Sequence, residues 1–298
     1  EANKNFPLIH YFNLAANNNF PMAQIHLGFI YLNGIFIKQD INMAIHFFTL
    51  AAKNNIPEIQ FYLGLIYIEG KYYPRNINKA LYYLSLASNQ NYIDAQYYLG
   101  LIYEIGDYLP RDINKSIHYL SLAANNNHVD AQFNFGMLYF DDKYIPRDIN
   151  KSIYYLTLAA NQNFTQAQNN LGIIYYNCKY VSQNIDKAIY YFTLAANQNI
   201  PEAQFNLFTV YFQSNFIENH INKGLLWLIN SAENKYVRAQ FSFGYLYQEG
   251  KYVKQDIKKL YIIIMKLHHS IINIQKIILV FCTSMDLIMK CILVLLLQ

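Results

Sequence analysis

The chain has 298 residues, of which 54% are hydrophobic and 14% are charged, and its formal net charge at pH 7 is +4. A net charge this small does not by itself argue for nucleic-acid binding. The three cysteines, Cys178, Cys282 and Cys291, have neither disulfide-like nor metal-ligand spacing. Their spacing indicates a reducing compartment and favours the cytoplasm.

The dipeptide Ala-Gln recurs along the chain at constant spacing. Copies fall on a 36-residue period, with Ile59 filling the one gap, and their alanines are Ala23, Ala95, Ala131, Ala167, Ala203 and Ala239. Repeats of this length predict stacked helical segments, each of which needs its neighbours to bury its apolar face. Because Leu14-Ala15-Ala16 already belongs to the end of a helix, the chain opens within a repeat, and we expect its true amino terminus to lie upstream of Glu1.

Each repeat predicts a helix, a loop and a second helix. In the repeat that begins near Ile93, apolar residues follow helical spacing at Ala95, Leu99, Ile102 and Tyr103, and again at Ile113, Ile117 and Leu120. Both halves are therefore predicted to be amphipathic helices of about a dozen residues. Between them, Gly106 and Pro110 predict the loop.

The helix ends also recur. Residues suited to cap the start of the second helix are Asp40, Asn76, Asp112, Asp148, Asn184 and Asp256, with His220 as the exception. Residues suited to close its end in the left-handed conformation are Asn19, Asn55, Asn91, Asn127, Asn163 and Asn199. These positions predict that all repeats share one helix-turn-helix geometry.

Small residues in the middle of each repeat predict close helix contacts. Glycines inside the first helix are Gly28, Gly64, Gly100, Gly136, Gly172 and Gly244. Alanine pairs such as Ala123-Ala124 are expected to supply the complementary shallow surface. Phe208 replaces the glycine of the sixth repeat, which predicts looser packing there. A stacked aromatic seam is predicted from Tyr31, Tyr67, Tyr103, Tyr139, Tyr175, Tyr211 and Tyr247.

The assembled signature is Ala-x-x-x-Leu-Gly-x-x-Tyr-x-x-Gly, then a loop, Asp-x-x-Lys-Ala and Ala-Ala. Its clearest carriers are Ala95, Leu99, Gly100, Tyr103, Gly106, Asp112 and Lys115. This pattern resembles the Sel-1-like repeat family, a relative of the tetratricopeptide repeats, over about residues 8–259. The resemblance implies an all-α fold, a right-handed α-solenoid of about seven 36-residue helix-turn-helix repeats. It also implies a non-catalytic adaptor or scaffold that binds protein or peptide partners.

The partner-binding surface is expected where the repeats differ, on the face of the first helix that points away from the Ala, Leu and Tyr seam. By helical angle this face is the concave surface of a solenoid. Its predicted residues are Tyr62, Leu65, Tyr98, Leu101, Asn134, Met137, Asn170, Ile173 and Asn206. Aromatic residues early and amides late predict a groove graded from apolar to polar. The alternative is that Tyr62 and Tyr98 only cover neighbouring residues.

Catalytic chemistry has little support in the sequence. The histidines form no helical pair of ligands with a carboxylate, and the chain has neither a Gly-rich phosphate loop nor a nucleophile elbow. We therefore expect no catalytic site, cofactor, metal or small-molecule ligand.

An RNA-binding helical repeat is the less favoured alternative. One lysine per repeat forms a basic row, Lys79, Lys115, Lys151, Lys187, Lys223 and Lys259, which Arg75, Arg111 and Arg147 extend. Helical-repeat RNA readers vary the side chains that read each base. Here the lysine is nearly constant, and Asp112 and Asp148 stand three residues before it as intrahelical partners. We expect a solvated basic row.

Residues 260–298 are predicted to be a degenerate apolar tail that is translated out of frame. A shifted frame restores Gly, Tyr and Gly at positions 280, 283 and 286, one repeat beyond Gly244, Tyr247 and Gly250. The alternative is a tail-anchored membrane adaptor, which would contact a membrane only if the tail is genuine. Against an anchor, Asp286 and Lys290 interrupt the apolar run.

Overall fold

The computed structural model describes residues 6–71, 73–107, 109–177, 179, 181–213 and 218–249. Within these ranges the chain forms 14 α-helices and no β-strand. The helices are α1 Phe6–Asn17, α2 Pro21–Asn33, α3 Ile41–Ala52, α4 Pro57–Glu69, α5 Ile77–Asn89, α6 Ile93–Ile105, α7 Ile113–Asn125, α8 Val129–Phe140, α9 Ile149–Asn161, α10 Thr165–Tyr176, α11 Ile185–Asn197, α12 Pro201–Gln213, α13 Glu218–Glu233 and α14 Val237–Glu249. The predicted all-α repeat fold is confirmed.

The chain divides into two compact units, one of residues 1–164 and one of residues 165–298. The first contains α1 to α9, and the second contains α10 to α14. Even-numbered helices are the first helices of the repeats, and odd-numbered helices are the second. No helix in the described ranges is both long enough and apolar enough to cross a membrane. The predictions about a frame-shifted tail or a tail anchor lie outside the described residues.

The predicted helix ends are confirmed wherever the structure describes them. A side-chain oxygen accepts a hydrogen bond of 2.9–3.0 Å from the backbone N–H three residues later at Asp40, Asn76, Asp112, Asp148 and Asn184. Left-handed backbone follows each second helix at Asn19, Asn55, Asn91, Asn127, Asn163 and Asn199, with φ between 55° and 66°. Lys235 takes the same conformation in the last repeat at φ 64°. The predicted cap at Asp256 lies outside the described residues, and so does the side chain of His220, the exception in the pattern.

The mid-helix glycines do make close contacts, but their predicted partner is wrong. A Cβ built on Gly100 would lie 2.7 Å from Leu120 Cγ, and one built on Gly136 would lie 2.9 Å from Leu156 Cγ. The glycine therefore faces a large side chain of the second helix rather than an alanine pair. The pair is buried, and the carbonyl of its second residue accepts a hydrogen bond from the next repeat, as Ala124 does from Gln132 Nε2 at 3.1 Å.

The looser packing predicted for the sixth repeat is also wrong. Phe208 is only 7% exposed, although it occupies the position that glycine holds elsewhere. Its ring fits because Gly224 of α13 stands where the other second helices carry Ala or Ser. A Cβ built on Gly224 would lie 3.2 Å from Tyr211 Cβ and 3.7 Å from Phe208 Cδ2. In the sixth repeat a large ring therefore replaces the glycine of the first helix, and a glycine replaces the Ala or Ser of the second helix.

A buried glutamine in each first helix joins neighbouring repeats. Gln60 Nε2 donates to the carbonyl of Ala52 at 3.2 Å, and its Oε1 accepts from Gln90 Nε2 at 2.7 Å. The second bond recurs at Gln132 from Gln162 at 2.8 Å. In the second unit it recurs at Gln168 from Gln198 and at Gln204 from Asn234. These amides satisfy each other where water is excluded.

Three of these glutamines lack the second bond. The Oε1 atoms of Gln24, Gln96 and Gln240 are buried without a hydrogen-bond partner. For Gln24 and Gln96 the residues in the donor position are Asn54 and Asn126, whose amides donate instead to Leu50 and Leu122 of their own helices, at 3.3 and 3.0 Å. A buried acceptor without a donor lowers stability.

Replacing Asn126 by Gln should therefore stabilise the first unit by about 1 kcal/mol. Gln in this position bonds to the facing glutamine at three repeat boundaries, as Gln90 does to Gln60, whereas Asn does so only at Asn234. Urea denaturation followed by circular dichroism would measure the change. The matched control is Asn89→Gln, at an exposed helix end, which should have no effect. Equal stability of the two variants would show that Gln96 gains nothing from the longer side chain.

Candidate functional site

The basic row is held by contacts within the protein. Lys79 Nζ lies 5.1 Å from the ring centre of Tyr67, and the same cation–π contact recurs at 4.9 Å between Lys115 and Tyr103. Tyr103 also stacks on Tyr119 of the second helix at 6.0 Å and 5°, and the same stack recurs at Tyr31, Tyr67 and Tyr175. The predicted aromatic seam is confirmed at these four positions, and it includes the lysine where the contact above occurs.

The predicted aspartate partners of the row are also present. Lys115 Nζ lies 3.4 Å from Asp112 Oδ2, and Lys151 Nζ lies 3.5 Å from Asp148 Oδ2. The backbone hydrogen bond from Lys115 is the main cause that lowers the pKa of Asp112. The basic row is therefore neutralised in part by its own helix caps.

The three arginines of the row close the first helices. Arg75 Nε donates to the carbonyl of Ile68 at 2.9 Å, and Arg111 Nη2 donates to the carbonyl of Ile105 at 3.0 Å. Arg147 Nε donates to the carbonyl of Phe140. The final carbonyls of a helix have no partner within it, so these contacts stabilise the helix end.

In the first unit, the partner-binding residues predicted from the sequence lie on one solvent-accessible line of side chains. In the first unit we call this line the first-helix stripe. It consists of Met22, His26, Phe29 and Asn33 of α2, Glu58, Tyr62, Leu65 and Glu69 of α4, Asp94, Tyr98, Leu101 and Ile105 of α6, and Asp130, Asn134, Met137 and Asp141 along and just after α8. Each of these side chains is exposed or partly exposed, whereas the Ala, Leu and Gly face of the same helices is buried.

Six of the nine predicted residues belong to this stripe. Tyr62 is 41% exposed and Tyr98 is 36% exposed. The other four, Leu65, Leu101, Asn134 and Met137, are partly buried. Asn170 and Ile173 on α10 and Asn206 on α12 are partly buried in the second unit.

The two stripe tyrosines are supported by aromatic neighbours. The Tyr62 ring packs edge-on against Phe29 at 5.5 Å, and the Tyr98 ring packs edge-on against Phe61 at 5.4 Å. Phe61 in turn lies 6.2 Å from Tyr62, so the contacts run from α2 through α4 to α6. The tyrosines therefore cover neighbouring rings and still present part of their surface to solvent.

The supporting residues were missed by sequence reasoning, although a signal existed. Tyr97 accepts a hydrogen bond of 3.0 Å at its hydroxyl from Asn134 Nδ2, which extends the line to α8. Phe61, Tyr97 and Phe133 recur with the same period, one position before Tyr62, Tyr98 and Asn134. That period alone could have predicted an aromatic layer beneath the stripe.

The corresponding position in the second unit is polar. Asn206 Nδ2 donates to Asn169 Oδ1 at 3.0 Å, so an amide pair stands where the first unit has rings. Thr209 Oγ1 donates to the carbonyl of Phe205 at 3.1 Å within its own helix. Amides therefore occupy this register in both units, at Asn134 and at Asn206, and the groove graded from apolar to polar stays a prediction.

Burial changes the ionisation of groups next to the stripe. Desolvation raises the pKa of Tyr97, and the nearby carboxylate of Asp130 raises it further. Desolvation also raises the pKa of Glu104, against the opposing effect of Arg111. In the described part of the chain, no cluster of three or more His, Cys, Asp or Glu residues could hold a metal ion.

A family model, Sel1 repeat, matches seven consecutive segments of the chain. They are residues 21–56, 57–92, 93–128, 129–164, 165–200, 201–236 and 237–259. The chain belongs to the Sel1 repeat family. Each complete segment contains one first helix and one second helix, which agrees with the repeat frame of the structure.

Two solved structures support the assignment. A Sel1 repeat protein from Oxalobacter formigenes is 28% identical, with 88% of this chain and 76% of that chain covered and a TM-score of 0.75. The protective antigen c5321 of uropathogenic Escherichia coli, which has the same repeat fold, is 24% identical over 87% of this chain and 63% of that chain, with a TM-score of 0.51. No curated protein matched this Sel1 repeat chain. Sel1 repeats generally mediate protein–protein interaction and are generally non-catalytic.

Proposed function

We propose that this Sel1 repeat protein is a non-catalytic adaptor that binds a protein or peptide partner through the first-helix stripe. The observation that carries the proposal is the pair Tyr62 and Tyr98, which are 41% and 36% exposed while neighbouring rings hold them in place. Tyrosine is enriched among residues that dominate binding energy, especially where its ring is preorganised. Leu65 and Leu101 provide partly buried apolar surface beside them.

In the second unit, the corresponding residues Asn170, Ile173 and Asn206 are proposed as partner contacts of that unit. Their side chains are partly buried and carry amide groups at two of the three positions. Amides add directional hydrogen bonds to an interface whose affinity comes from aromatic anchors.

The basic row is the weaker candidate for binding. Its lysines are placed over tyrosine rings and its arginines bond to helix carbonyls, so a phosphate backbone would compete with these contacts. We therefore favour a protein partner over RNA.

Replacing both Tyr62 and Tyr98 by Ala should weaken partner binding about tenfold or more, since a hot-spot tyrosine contributes about 1–2 kcal/mol. The partner would be captured from native cells, identified by mass spectrometry, purified and titrated by calorimetry. The matched control is Tyr82→Ala with Tyr154→Ala, at exposed positions on second helices. If binding is lost in this control, or after charge reversal of Lys115 and Lys151, while the stripe variant binds fully, then the binding site lies elsewhere.

A further inference from the structure

Charges in the first unit are segregated between the two kinds of helix. The stripe carries five carboxylates and no Lys or Arg; they are Glu58, Glu69, Asp94, Asp130 and Asp141. The second helices α3, α5, α7 and α9 have the opposite composition, with Lys79, Lys115 and Lys151 and no Asp or Glu. This separation occurs in a chain whose formal net charge is +4. The side chains of the stripe are therefore acidic in a chain that is basic overall, although Arg75 and Arg111 lie at the carboxyl ends of α4 and α6, where they donate to the carbonyls of Glu69 and Ile105.

These carboxylates remain accessible to a partner. Glu58 and Glu69 are exposed at the two ends of α4. Asp94 is 51% exposed, and its Oδ1 lies 3.4 Å from His128 Nε2. Asp141 is exposed and accepts a hydrogen bond from the backbone of Lys143. Exposed carboxylates therefore lie at both ends of the first helices, on either side of the stripe tyrosines.

The acids and the tyrosines share one surface. Desolvation is the main cause that raises the pKa of Tyr92. The nearby carboxylates of Asp94 and Glu58 raise this pKa further, and so does Tyr62. The Tyr92 ring also lies 5.2 Å from Phe61, the residue that supports Tyr98. A ligand that covers the stripe tyrosines therefore lies beside these carboxylates.

We propose that the first-helix stripe binds an extended peptide segment in which Lys or Arg side chains alternate with apolar residues. This inference rests on the proposed function and specifies the chemistry of its partner. The apolar side chains would pack on Tyr62, Leu65 and Tyr98, and the cations would pair with the acids at the helix ends. Complementary charge also excludes competing acidic partners, because like charges placed together at an interface are repulsive.

The ring distances set the spacing of the apolar residues in the segment. Phe61 lies 6.2 Å from Tyr62 and 5.4 Å from Tyr98, which places the two tyrosine rings within one short step of each other. An extended chain advances about 3.3 Å per residue, so about three residues cover one such step. A matching peptide therefore carries one apolar residue in every three, with a basic residue beside it.

The test measures binding of labelled synthetic peptides to the full chain by fluorescence anisotropy. The probe is a peptide of four Lys-Leu-Ser triplets, and its controls are four Glu-Leu-Ser triplets and a peptide of the same composition with the lysines clustered. We expect the regular Lys peptide to bind about tenfold more tightly than either control. Raising the salt from about 0.05 M to about 0.3 M should weaken it further.

The protein variants are Glu58→Gln with Glu69→Gln, and the matched control Asp107→Asn with Asp186→Asn, whose carboxylates are exposed and outside the stripe. The stripe pair should weaken the Lys peptide by about threefold to tenfold, as expected for two exposed ion pairs. The control pair should leave binding unchanged.

Several outcomes would overturn the inference. They are no binding of the Lys peptide, equal binding of the Glu peptide, equal loss in both charge variants, or an RNA oligonucleotide that binds in a manner sensitive to Tyr62→Ala. Failure of the proposed function is distinguishable. If the captured native partner loses affinity with Tyr62→Ala and Tyr98→Ala but not with Glu58→Gln and Glu69→Gln, the stripe remains the site and only its charge preference is wrong.

Discussion

Replacing Phe208 by Gly should destabilise the second unit by about 3–5 kcal/mol, the usual cost of removing a buried aromatic ring. The side chain is 7% exposed and packs on Phe205 and Phe212 at ring-centre distances of 5.8 and 5.2 Å. The glycine found at this position in other repeats would leave a cavity here. Trp227, the one tryptophan of the chain, lies in α13, so its fluorescence during denaturation reports on this repeat directly.

A second substitution tests whether Gly224 compensates for the Phe208 ring. Gly224→Ala alone should be neutral or destabilising, because the added Cβ would lie 3.2 Å from Tyr211 Cβ and 3.7 Å from Phe208 Cδ2. In the Phe208→Gly background the same change should be less destabilising or stabilising, since loss of the ring leaves room for Tyr211 to shift and the methyl group fills part of the cavity. Additive effects of the two substitutions would refute this compensation.

Replacing Gly100 by Leu should destabilise the first unit by about 3 kcal/mol. A Cβ at this position would lie 2.7 Å from Leu120 Cγ and 3.1 Å from the Leu120 backbone nitrogen, so the two helices must move apart. Gly100→Ala should also be destabilising, because of this contact. In an exposed helix, by contrast, replacing glycine by alanine stabilises the helix by about 1 kcal/mol. Thermal unfolding followed by circular dichroism would measure both changes.

The close contact is tested further by a partner change in α7. Leu120→Ala alone should cost about 2–5 kcal/mol, because its side chain is fully buried. Combined with Gly100→Ala it should cost less than the two changes added together, since the new methyl group enters the space that Leu120 left. A neutral Gly100→Leu variant would contradict the close-contact explanation altogether.

The repeat fold was predictable because its determinants are local and recur. The capping oxygen of Asp40 and the left-handed Asn55 depend on backbone geometry within a few residues, and the structure confirms both. Repetition supplied what a single stretch of sequence lacks, since a position that keeps its residue type through several repeats has the same environment in each.

Contacts between helices were harder to predict from the sequence. Helical angle indicates that Gly100 faces a neighbour but not which side chain approaches it, and the answer was Leu120 rather than an alanine pair. The compensation of Phe208 by Gly224 required knowing that positions 16 residues apart meet in space. The stripe tyrosines were predicted as exposed, whereas their support from Phe29 and Phe61 depends on distances between repeats.

The buried glutamines bear on how such a chain can change its length. Gln60 and Gln132 bond to the carbonyls of Ala52 and Ala124, always eight residues earlier, so donor and acceptor lie on opposite sides of a repeat boundary. A duplication or deletion of one whole 36-residue block carries along one donor and one acceptor and keeps their eight-residue spacing at each boundary. An insertion of a single residue turns the following helix by about 100° and separates them. We therefore expect gain or loss of whole 36-residue repeats to be tolerated far better than small insertions within a helix.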